Sequence, residues 1–585
     1  MELASSFSEI MSGGGGEVMM KVVLSTTSAR PREMVVFCGG GNKTILSISK
    51  ALKMKVQEQG QQKQKQIWRR LSVRANALVT GKEDLRAEPH LSFELSLMEH
   101  HQIEESYAVS LVKELREVYA SGRTRSAEWR EEQMKAMARM MVEREDELVD
   151  ALRQDLNKPK LETYVSEISQ IHDSALDAAK NVRNWMQPEK VPTTSTTFPS
   201  KAKIIPEPLG VSLILSAWNY PLLLSLVPVV GAIAAGNVVV LKPSEVAPAT
   251  SATLAKLFPL YLDPLAVRVV EGGIPETTAL LEQRWDKILF TGSGRVAKIV
   301  LAAAAKHLTP VTLELGGKCP AIVDSTLDMG IAANRIAWAK WAANNGQACI
   351  AADYILVEES VAPELLQKLK ENIKQFYGDD PSKSSDISRV VNVNHFRRLT
   401  GLIDDKDTAE KIVFGGDRDK STLYLSPTIV MNPPLDSPVM QEEIFGPILP
   451  IITVKDVSEA IQFMNSRPKP LALYLFTSDK AVQERVLAET SSGGVTVNDC
   501  ILNFVNDALP FGGVGESGYG AYRGKHSFDT FSHRKGVLVR ELWFTGDSEF
   551  RCPPYPDSKT QAMKAILTKD WPGLFRALLN LARST

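Results

Sequence analysis

The chain has 585 residues, of which 44% are hydrophobic and 23% charged, and its formal net charge is −1. This length exceeds what one hydrophobic core usually supports, so two or more domains with the composition of an ordinary soluble globular protein are expected. The near-zero net charge gives no electrostatic case for a nucleic-acid partner, and five scattered cysteines without a CxxC pair support neither a zinc site nor a disulfide framework.

The first 80 residues differ in composition from the rest of the chain. They hold 12 Lys and Arg against 5 Asp and Glu, a net charge of +7 that leaves −8 for the remainder. They also contain a glycine run at 13–16 and the low-complexity stretch GQQKQKQ at 60–66. This composition predicts a transit peptide, with the arginine-rich segment 69–77 as a processing region. Three early glutamates weaken that interpretation, and a merely disordered tail is the alternative.

Helical periodicity begins after this tail, because apolar side chains then recur every three to four positions. The pattern predicts helices over 111–120, 127–155 and 161–185. Prolines interrupt it between Pro188 and Pro206, and the threonines of 193–197 favour an exposed strand or a hairpin there.

Strand-like apolar runs then alternate with helical stretches. The strands are predicted at 211–215, 238–241, 267–270, 288–291 and 311–315. The helices between them are predicted at 222–235, 249–262, 276–281 and 295–306. Such alternation implies a parallel sheet with helices on both faces, which binds ligands outside the carboxyl ends of its strands.

A second series of the same kind follows and predicts a second α/β domain. Its strands are predicted at 321–323, 354–357, 451–454, 471–476 and 494–497. Its helices are predicted at 330–343, 362–376, 457–465 and 480–489. The two domains are expected to meet near Leu313, and ligand sites favour such seams.

The carboxyl end of the chain has an amphipathic pattern. Apolar residues fall on one helical face at Trp571, Leu574, Phe575, Leu578, Leu579 and Ala582. Positive charges accompany them, and these together with Pro572 exclude a spanning helix of about 20 apolar residues. The segment is suited to lying on a membrane surface, and docking onto its own protein is the alternative.

Glu314 and Cys349 are the candidate reactive pair, 35 positions apart. A carboxylate base and a thiol nucleophile suffice for acyl chemistry at a carbonyl carbon. Two simpler interpretations stay open. A lone cysteine among apolar residues is often an inert buried thiol, and a glutamate before two glycines can serve only as a helix cap.

Three predicted strand ends carry polar residues, in SAWNYP (216–221), KPSE (242–245) and TGSGRVA (291–297). The last fits GxGxxA between a strand and a helix, a pattern typical of dinucleotide binding at a helix N-terminus. Glu314 follows Gly294 by 20 residues, where that fingerprint expects the ribose-binding acid. Lys242 and Glu245 offer another ribose site, and a solvated helix start is the alternative for them.

Together, six segments resemble the aldehyde dehydrogenase superfamily in content and order, across roughly 111–536. They are SAWNYP, LKPSE, FTGSG, LELGGK, GQAC and EEIFGP. SGRTRSAEWR (121–130) and the segment 509–535 resemble the class 3 branch in its plant form. The resemblance implies an α/β aldehyde dehydrogenase fold, with a Rossmann-like parallel-sheet cofactor domain, an α/β catalytic domain and an oligomerisation hairpin.

Five segments follow from combining this resemblance with the composition. They are a transit peptide at 1–80, an NAD(P)-binding domain at 100–312 with a hairpin near 188–206, a catalytic domain at 313–505, an oligomerisation segment at 506–540 and a tail at 541–585. The 512–531 region and the hairpin are expected to support a homodimer, as in the family.

The resemblance also implies residue roles. Cys349 is the nucleophile that forms a thioester, Asn219 and the Cys349 backbone N–H hold the oxyanion, and Glu314 activates water. The cofactor, NAD or NADP, is expected to contact Trp218, Lys242, Glu245, Gly292, Ser293, Gly294, Glu443 and Phe445. Two departures from the family stand out. Ala297 replaces a glycine, and one extra residue lies within 341–346 relative to animal class 3 members.

The resulting hypothesis is an NAD(P)-dependent oxidation of medium- or long-chain aliphatic aldehydes, such as lipid-peroxidation products, to carboxylic acids in stress detoxification. A chloroplast location is expected, with a cytoplasmic or membrane-peripheral one as the alternative. The first rival is a CoA-dependent or reductive acyl dehydrogenase on the same fold, which Glu314 disfavours. The second rival is a catalytically idle binding or structural protein, which the joint presence of Cys349, Glu314 and Asn219 disfavours.

Overall fold

The computed structural model describes residues 34–35, 45–46, 106–194, 197, 199–542 and 552–584. The chain divides into two compact units, 1–104 and 105–585. Within the first unit, the described residues form one antiparallel pair of short strands, Met34–Val35 and Ile45–Leu46. Apart from these four residues, the predicted transit peptide and its processing region lie outside the described residues.

The second unit begins with a helical layer. Residues 106–120 are helical, and the helices Ala127–Glu143 and Glu145–Leu156 follow. The Ser126 side chain accepts a hydrogen bond from Trp129 N (3.1 Å) and caps the first of this pair. Arg144 breaks the helical dihedrals at φ −119°, ψ 19°, so the single helix predicted over 127–155 is two helices.

The third predicted helix continues through a change of pitch. Lys160–Thr163 leads into a π-turn, Tyr164–Ile168, and then into the helix Ser169–Trp185. A π-turn inserts one extra residue into a helix and is common near functional sites. It turns Glu162 and Glu167 towards the interior, where Glu167 is fully buried.

A three-stranded antiparallel sheet follows this helical layer. Its strands are Glu189–Val191, Lys201–Pro208 and Ser532–Val539. The central strand pairs along its full length with the last, from Lys201 opposite Val539 to Pro208 opposite Ser532. Of the strand or hairpin expected at 193–197, the hairpin is the one that forms, because Glu189–Val191 and Lys201–Pro208 pair antiparallel on either side of this segment.

The first large sheet has five parallel strands and one short antiparallel edge. In spatial order they are Gly518–Tyr519, Val311–Glu314, Lys287–Thr291, Val211–Leu215, Val238–Lys242 and Val267–Val269. The helices are Leu223–Ala235, Pro248–Tyr261, Ile274–Leu281 and Gly294–Ala305. The strand order reverses beside Val211–Leu215, and open α/β sheets bind ligands at such a switch point.

The second large sheet has seven strands. In spatial order they are Ile412–Phe414, Thr428–Met431, Ile448–Val454, Tyr354–Glu358, Pro320–Val323, Ala472–Phe476 and Gly494–Val497. All neighbours pair in parallel except the first two. The predicted series contained neither of those two strands. Ile412–Phe414 is short and only partly buried, and Thr428–Met431 lies in a segment rich in turns.

The helices of this domain include the four that were predicted, in the predicted order, as Met329–Ala337, Ala362–Tyr377, Val457–Asn465 and Lys480–Glu489. Helices that were not predicted are Val393–Asp404 and the short Lys406–Ala409, Pro438–Gln441 and Leu502–Val505, while the short helix Gly524–Thr530 packs against Leu223–Ala235. The helix predicted over 330–343 ends as an α-helix at Ala337 and continues as a second π-turn, Trp338–Ala342. Short strands at Arg418–Asp419 and Tyr424–Leu425 complete the domain.

The carboxyl-terminal segment forms two helices, Asp557–Thr568 and Trp571–Ser584, which pack against each other. Lys569 adopts a left-handed conformation (φ 56°) and ends the first helix, so the amphipathic pattern of 562–582 spans two helices. Within the described ranges, no helix is long and apolar enough to cross a membrane.

A buried ion pair joins the helical layer to the first sheet. Lys158 Nζ lies 2.6 Å from Glu167 Oε1, and both side chains are fully buried. Glu167 Oε2 accepts hydrogen bonds from the backbone N–H groups of Leu222 (2.9 Å) and Leu223 (3.1 Å), where a helix begins. The Lys158 ammonium also lies 3.7 Å from the centroid of the Tyr220 ring. Every charge in this cluster therefore has a compensating partner.

Removal of the Lys158 charge is expected to destabilise the protein strongly. In Lys158→Met the Glu167 carboxylate stays buried without a cation, which costs about 3–5 kcal/mol. The matched control is Lys160→Met, whose ammonium pairs with Asp146 in solvent (2.9 Å), so its loss should change stability little. Urea unfolding followed by tryptophan fluorescence measures both variants. Equal stability of the two variants would contradict the assignment.

Candidate active site

The candidate reactive residues meet where the two large sheets join. Glu314 ends the strand Val311–Glu314 of the first sheet, and the chain enters the second sheet at Pro320. Cys349 follows a tight turn, Asn344–Gly346, and is half-buried. The pKa of the Cys349 thiol is raised by burial, by Glu443 and by Glu314, so the Glu314 carboxyl is within electrostatic range of the thiol.

The Cys349 thiol lies in a protein interior that disfavours the thiolate. Burial raises the pKa of Cys349 to about 12, and the nearby carboxyls of Glu443 and Glu314 act in the same direction. The backbone N–H groups of Cys349 and Ile350 oppose this shift. The thiol of Cys319 donates to the Cys349 carbonyl oxygen (3.4 Å) and its sulfur accepts from Ala472 N (3.3 Å). Burial therefore favours the thiol form of Cys349 over the thiolate.

Glu314 has the surroundings of a general base. Its side chain is 3% exposed, and neither carboxylate oxygen has a hydrogen-bond partner among the described residues. Burial raises the pKa of Glu314 well above its usual range, which brings it towards the pH at which a base is effective. The alternative of a helix cap is wrong, because Glu314 ends a strand and no helix follows it directly.

Asn219 lies against the turn that carries the cysteine. The side-chain Nδ2 of Asn219 donates to the backbone carbonyl oxygen of Gln347 (3.1 Å). The backbone carbonyl oxygen of Asn219 accepts a hydrogen bond from Asn344 Nδ2 (2.7 Å). A primary amide has two N–H groups, so the second one of Asn219 remains for a substrate oxygen. The amide therefore has the chemistry of an oxyanion donor beside Cys349.

The turn before Cys349 has an unusual backbone. Asn344, Asn345 and Gly346 all have positive φ, at 51°, 49° and 75°. A Cβ at Gly346 would lie 2.3 Å from the Gly446 carbonyl oxygen, so a larger residue is excluded there. The Gln347 amide closes the turn, since its Nε2 donates to Asn344 O (3.2 Å) and Arg389 O (2.9 Å).

The carboxyl edge of the first sheet fits a nicotinamide dinucleotide. Lys242 ends a strand, and its Nζ lies 2.6 Å from Glu245 Oε2, so an ammonium donor and a carboxylate acceptor lie side by side for ribose hydroxyls. Ser293 caps the helix Gly294–Ala305. A Cβ at Gly294 would meet nothing within 4 Å, so the N-terminus of that helix faces open space that a phosphate can occupy. Gly292 lies at the same turn.

The cofactor-side loop of the second domain reaches the same region. Glu443 Oε1 accepts a hydrogen bond from Gly317 N (3.0 Å), and burial raises the pKa of Glu443 to about 8. A Cβ at Gly316 would lie 2.1 Å from Glu443 Oε1, so a larger residue there would displace the Glu443 carboxyl. Phe445 packs edge-on against Trp218, with ring centroids 5.3 Å apart. All eight expected cofactor contacts thus lie at this sheet edge or on the loops packed beside it.

Residues outside the expected set hold this loop in place. Lys318 forms an ion pair with Asp353 and donates to the carbonyl oxygens of Val439 and Glu442 (2.9 Å each). Arg398 Nη2 donates to the Ile444 carbonyl oxygen (2.6 Å). Lys318 belongs to the segment LELGGK, which the sequence analysis singled out. Nothing in the sequence indicates that Arg398 contacts the loop of Glu443 and Ile444, about 45 positions later.

Cys349 lines a cavity of about 510 Å³. Most of its wall is apolar and includes Leu161, Val165, Tyr220, Trp338, Ile501 and Phe504. Two carboxyls, those of Glu162 and Asp386, interrupt this apolar wall. Such a cavity suits a molecule with an apolar body and one reactive polar end.

Comparisons with known proteins agree with this geometry. The model of the aldehyde dehydrogenase family matches residues 94–537. Aldehyde dehydrogenase family 3 member H1 of Arabidopsis thaliana is 54% identical over 81% of this chain and 98% of its own length. Family 3 member I1, chloroplastic, of the same plant is 53% identical over 81% and 85%. The dimeric NADP-preferring aldehyde dehydrogenase of Rattus norvegicus is 48% identical over 76% and 97%.

Solved structures share the fold. Staphylococcus aureus AldH in a substrate-bound state matches with a TM-score of 0.76 and 41% identity, over 78% of this chain and 99% of the other. Indole-3-acetaldehyde dehydrogenase AldA of P. syringae in complex with NAD⁺ matches with a TM-score of 0.69 and 26% identity, over 75% and 89%.

Proposed function

This chain belongs to the aldehyde dehydrogenase family and oxidises aldehydes with NAD or NADP, and we propose that it does so through a thioester on Cys349. The observation that carries the proposal is the grouping around one thiol that lines an apolar cavity. An unpartnered buried carboxyl, that of Glu314, and the amide of Asn219 both lie beside it.

Each group has one task in this reaction. The Cys349 thiol releases its proton to water in the cavity and its sulfur attacks the aldehyde carbon, while the free N–H of Asn219 and the Cys349 backbone N–H bind the oxygen that becomes negative. Removal of one such donor costs about 3–4 kcal/mol of transition-state stabilisation in other acyl-transfer enzymes. A bound nicotinamide cofactor would supply the acceptor for the hydride that the tetrahedral carbon loses, and the acyl group would then remain on the Cys349 sulfur. Glu314 then takes a proton from water, whose oxygen attacks the acyl carbon, and the carboxylic acid leaves as the thiol reforms.

The rival with an external thiol acceptor makes a different product. A CoA-dependent enzyme transfers the acyl group to CoA and needs no base for water, whereas this chain has the buried carboxyl of Glu314. Formation of acid without any added thiol is therefore expected.

Substitution of the two reactive residues is expected to separate the half-reactions. Cys349→Ser should lose turnover by at least about 10³-fold yet retain cofactor binding, because the cofactor contacts lie elsewhere. Glu314→Gln should keep a burst of about one equivalent of reduced cofactor and lose steady-state turnover, because only the acyl-enzyme hydrolysis needs the base. Rapid mixing with a medium-chain aldehyde measures both steps. Full activity of Cys349→Ala would overturn the proposal.

The pH dependence of the steady-state rate follows from the environment of Glu314. Its pKa is raised by burial, so the carboxylate form needed for hydrolysis is lost as the pH falls through that raised pKa. The steady-state rate of the wild type should therefore rise with pH, whereas Glu314→Gln should lack this rise.

The substrates of this chain are medium- or long-chain aliphatic aldehydes, including those formed in lipid peroxidation. The apolar wall of the cavity supports this, since each buried methylene group contributes about 0.8 kcal/mol to binding. Comparison of kcat/KM across a series of straight-chain aldehydes is the test. A preference for the shortest members would contradict it.

The cofactor preference is for NAD. Glu245 is half-exposed, and Lys242 and backbone hydrogen bonds lower its pKa against the opposing effect of burial, so it is ionised at neutral pH. A carboxylate at the ribose repels a 2′-phosphate. The rat relative is named NADP-preferring, so a direct comparison of the two cofactors decides the matter.

The chain forms a homodimer through the three-stranded antiparallel sheet. Both of its outer strands expose much of their surface, and Leu538 and Val539 are exposed on the last strand. One relative is named dimeric. Sedimentation equilibrium tests this assembly, and a monomer at micromolar concentration would contradict it.

The protein is a chloroplast enzyme, and residues 1–80 are its transit peptide. The positive charge of that segment and one relative named chloroplastic support this assignment. A fluorescent protein fused behind residues 1–80 should enter chloroplasts in leaf cells. A fusion that stays in the cytoplasm would refute the assignment.

The two carboxyl-terminal helices hold the protein on a membrane surface without crossing the membrane. Trp571, Phe575, Leu578 and Leu579 are exposed, whereas Ala562, Ala565 and Ala577 are buried. The exposed apolar face is accompanied by Lys564, Lys569 and Arg576. Apolar area together with positive charge is the combination that binds an anionic lipid surface.

Vesicle binding tests this membrane contact. The double variant Trp571→Ser/Phe575→Ser should lose at least about tenfold in affinity for anionic phospholipid vesicles, because two aromatic anchors no longer leave water. The control is Leu260→Ser, which removes an equally exposed apolar side chain from a helix of the body. Wild-type protein that fails to sediment with such vesicles would contradict the proposal.

A further inference from the structure

One carboxyl on the cavity wall has no task in the reaction described above. Glu162 belongs to the short helix that precedes the first π-turn, and its side chain is 13% exposed, towards the cavity that Cys349 lines. Burial of a carboxyl against an apolar wall is unfavourable unless something compensates for it. The contacts of Glu162 show what it holds.

Glu162 is bound to the turn that carries the nucleophile. Its Oε1 accepts a hydrogen bond from Asn344 N (2.7 Å), and its Oε2 accepts one from Ser388 Oγ (3.3 Å). Asn344 is the first of the three successive residues with positive φ. An acceptor for its N–H therefore stabilises a backbone conformation that a non-glycine residue rarely adopts.

The same asparagine binds the oxyanion donor. Asn344 Nδ2 donates to the Asn219 carbonyl oxygen (2.7 Å) and to the Gln347 carbonyl oxygen (3.3 Å). The Asn219 side chain donates to that same Gln347 oxygen. Glu162 is thus two hydrogen-bond steps from the backbone of Asn219, and it acts through Asn344 without touching the reacting atoms.

Burial and the charges around Glu162 determine the pH range in which its carboxyl ionises. Lys158 Nζ lies 3.8 Å from Glu162 Oε1, but that ammonium is closer to Glu167, and Glu167 itself disfavours a second negative charge. The other titratable groups facing the site are Tyr220, Tyr377 and Asp386. Burial raises the pKa of Glu162 to about 7 against the opposing effect of Lys158. The carboxylate is therefore the stronger acceptor above that pH and is lost below it.

We propose that Glu162 is a positioning residue for aldehyde oxidation, whose carboxylate orders the Asn344–Gly346 turn and thereby aims the Asn219 amide at the substrate oxygen. This inference rests on the proposed roles of Cys349 and Asn219. It predicts an effect on the first, hydride-forming step, whereas Glu314 acts in the second.

The test compares three variants in rapid mixing with a saturating medium-chain aldehyde between about pH 6 and 9. Glu162→Ala leaves Asn344 N without its acceptor, so the burst rate should fall about tenfold to a hundredfold, less than for loss of a whole donor. The wild-type burst rate should rise with pH near pH 7, as the Glu162 carboxyl ionises. Glu162→Gln keeps an acceptor oxygen, so its burst rate at pH 8 should stay within about threefold of the wild type, but it should lack this rise. Asp386→Asn removes the same charge from the same wall and should keep that rise.

A merely structural role would lower stability and leave the burst rate of folded protein unchanged. Thermal unfolding and cofactor titration therefore accompany each variant. A wild-type burst rate in Glu162→Ala would overturn the inference, as would persistence of the rise near pH 7 in Glu162→Gln or its loss in Asp386→Asn. If Glu162→Ala does not fold, the pH profile of Glu162→Gln decides. Absence of any burst in the wild type would refute the thioester proposal and this inference with it, whereas a normal wild-type burst with unaffected variants refutes this inference alone.

Discussion

A five-residue connection sets the position of one domain on the other. Leu315–Cys319 carries the chain from the strand Val311–Glu314 of the first sheet directly into Pro320–Val323 of the second. So short a link leaves the two sheets little freedom to move apart. Glu314 directly precedes this link, and Lys318, which donates to the Val439 carbonyl oxygen, lies near its end. Gly316 and Gly317 within the link let the Glu443 carboxyl approach the backbone. The distance between nucleophile, base and cofactor edge depends on this link.

The site concentrates buried acids that the fold must tolerate. Burial raises the pKa of Glu162, Glu314 and Glu443, whereas Glu167, on the same side of the cavity as Glu162, has a cation and two backbone N–H groups. The paired acid stabilises the junction of helix and sheet. The other three have pKa values raised by burial, which is common at functional sites. Glu167 thus contributes to stability, whereas the carboxyl of Glu314 is buried without a hydrogen-bond partner among the described residues. A core selected only for stability would avoid such a group, so we attribute it to function.

The two π-turns and the left-handed turn show how the backbone around the cavity departs from regular geometry. Tyr164–Ile168 and Trp338–Ala342 both contribute residues to the cavity wall. The sequence comparison located one extra residue within 341–346, and in the structure this part of the chain is a π-turn followed by two asparagines with positive φ. A π-turn absorbs an extra residue without disturbing the helix before it. Ala342 and Ala343, in the part of the chain where the extra residue is expected, line the cavity.

The sequence by itself determined the alternation of strands and helices, the polar residues at the strand ends and the resemblance of six segments to one family, because burial periodicity and turn chemistry are local properties. Most strands of the two large sheets begin and end within one or two residues of their expected bounds. Tertiary structure decided what joins distant positions. Asn344 finds its acceptor 182 residues away, Arg398 meets the Glu443 loop, the helix of 127–155 breaks at Arg144, and an edge strand forms at Ile412–Phe414. Such contacts depend on how helices and sheets pack, and no pattern within a short stretch of chain encodes them.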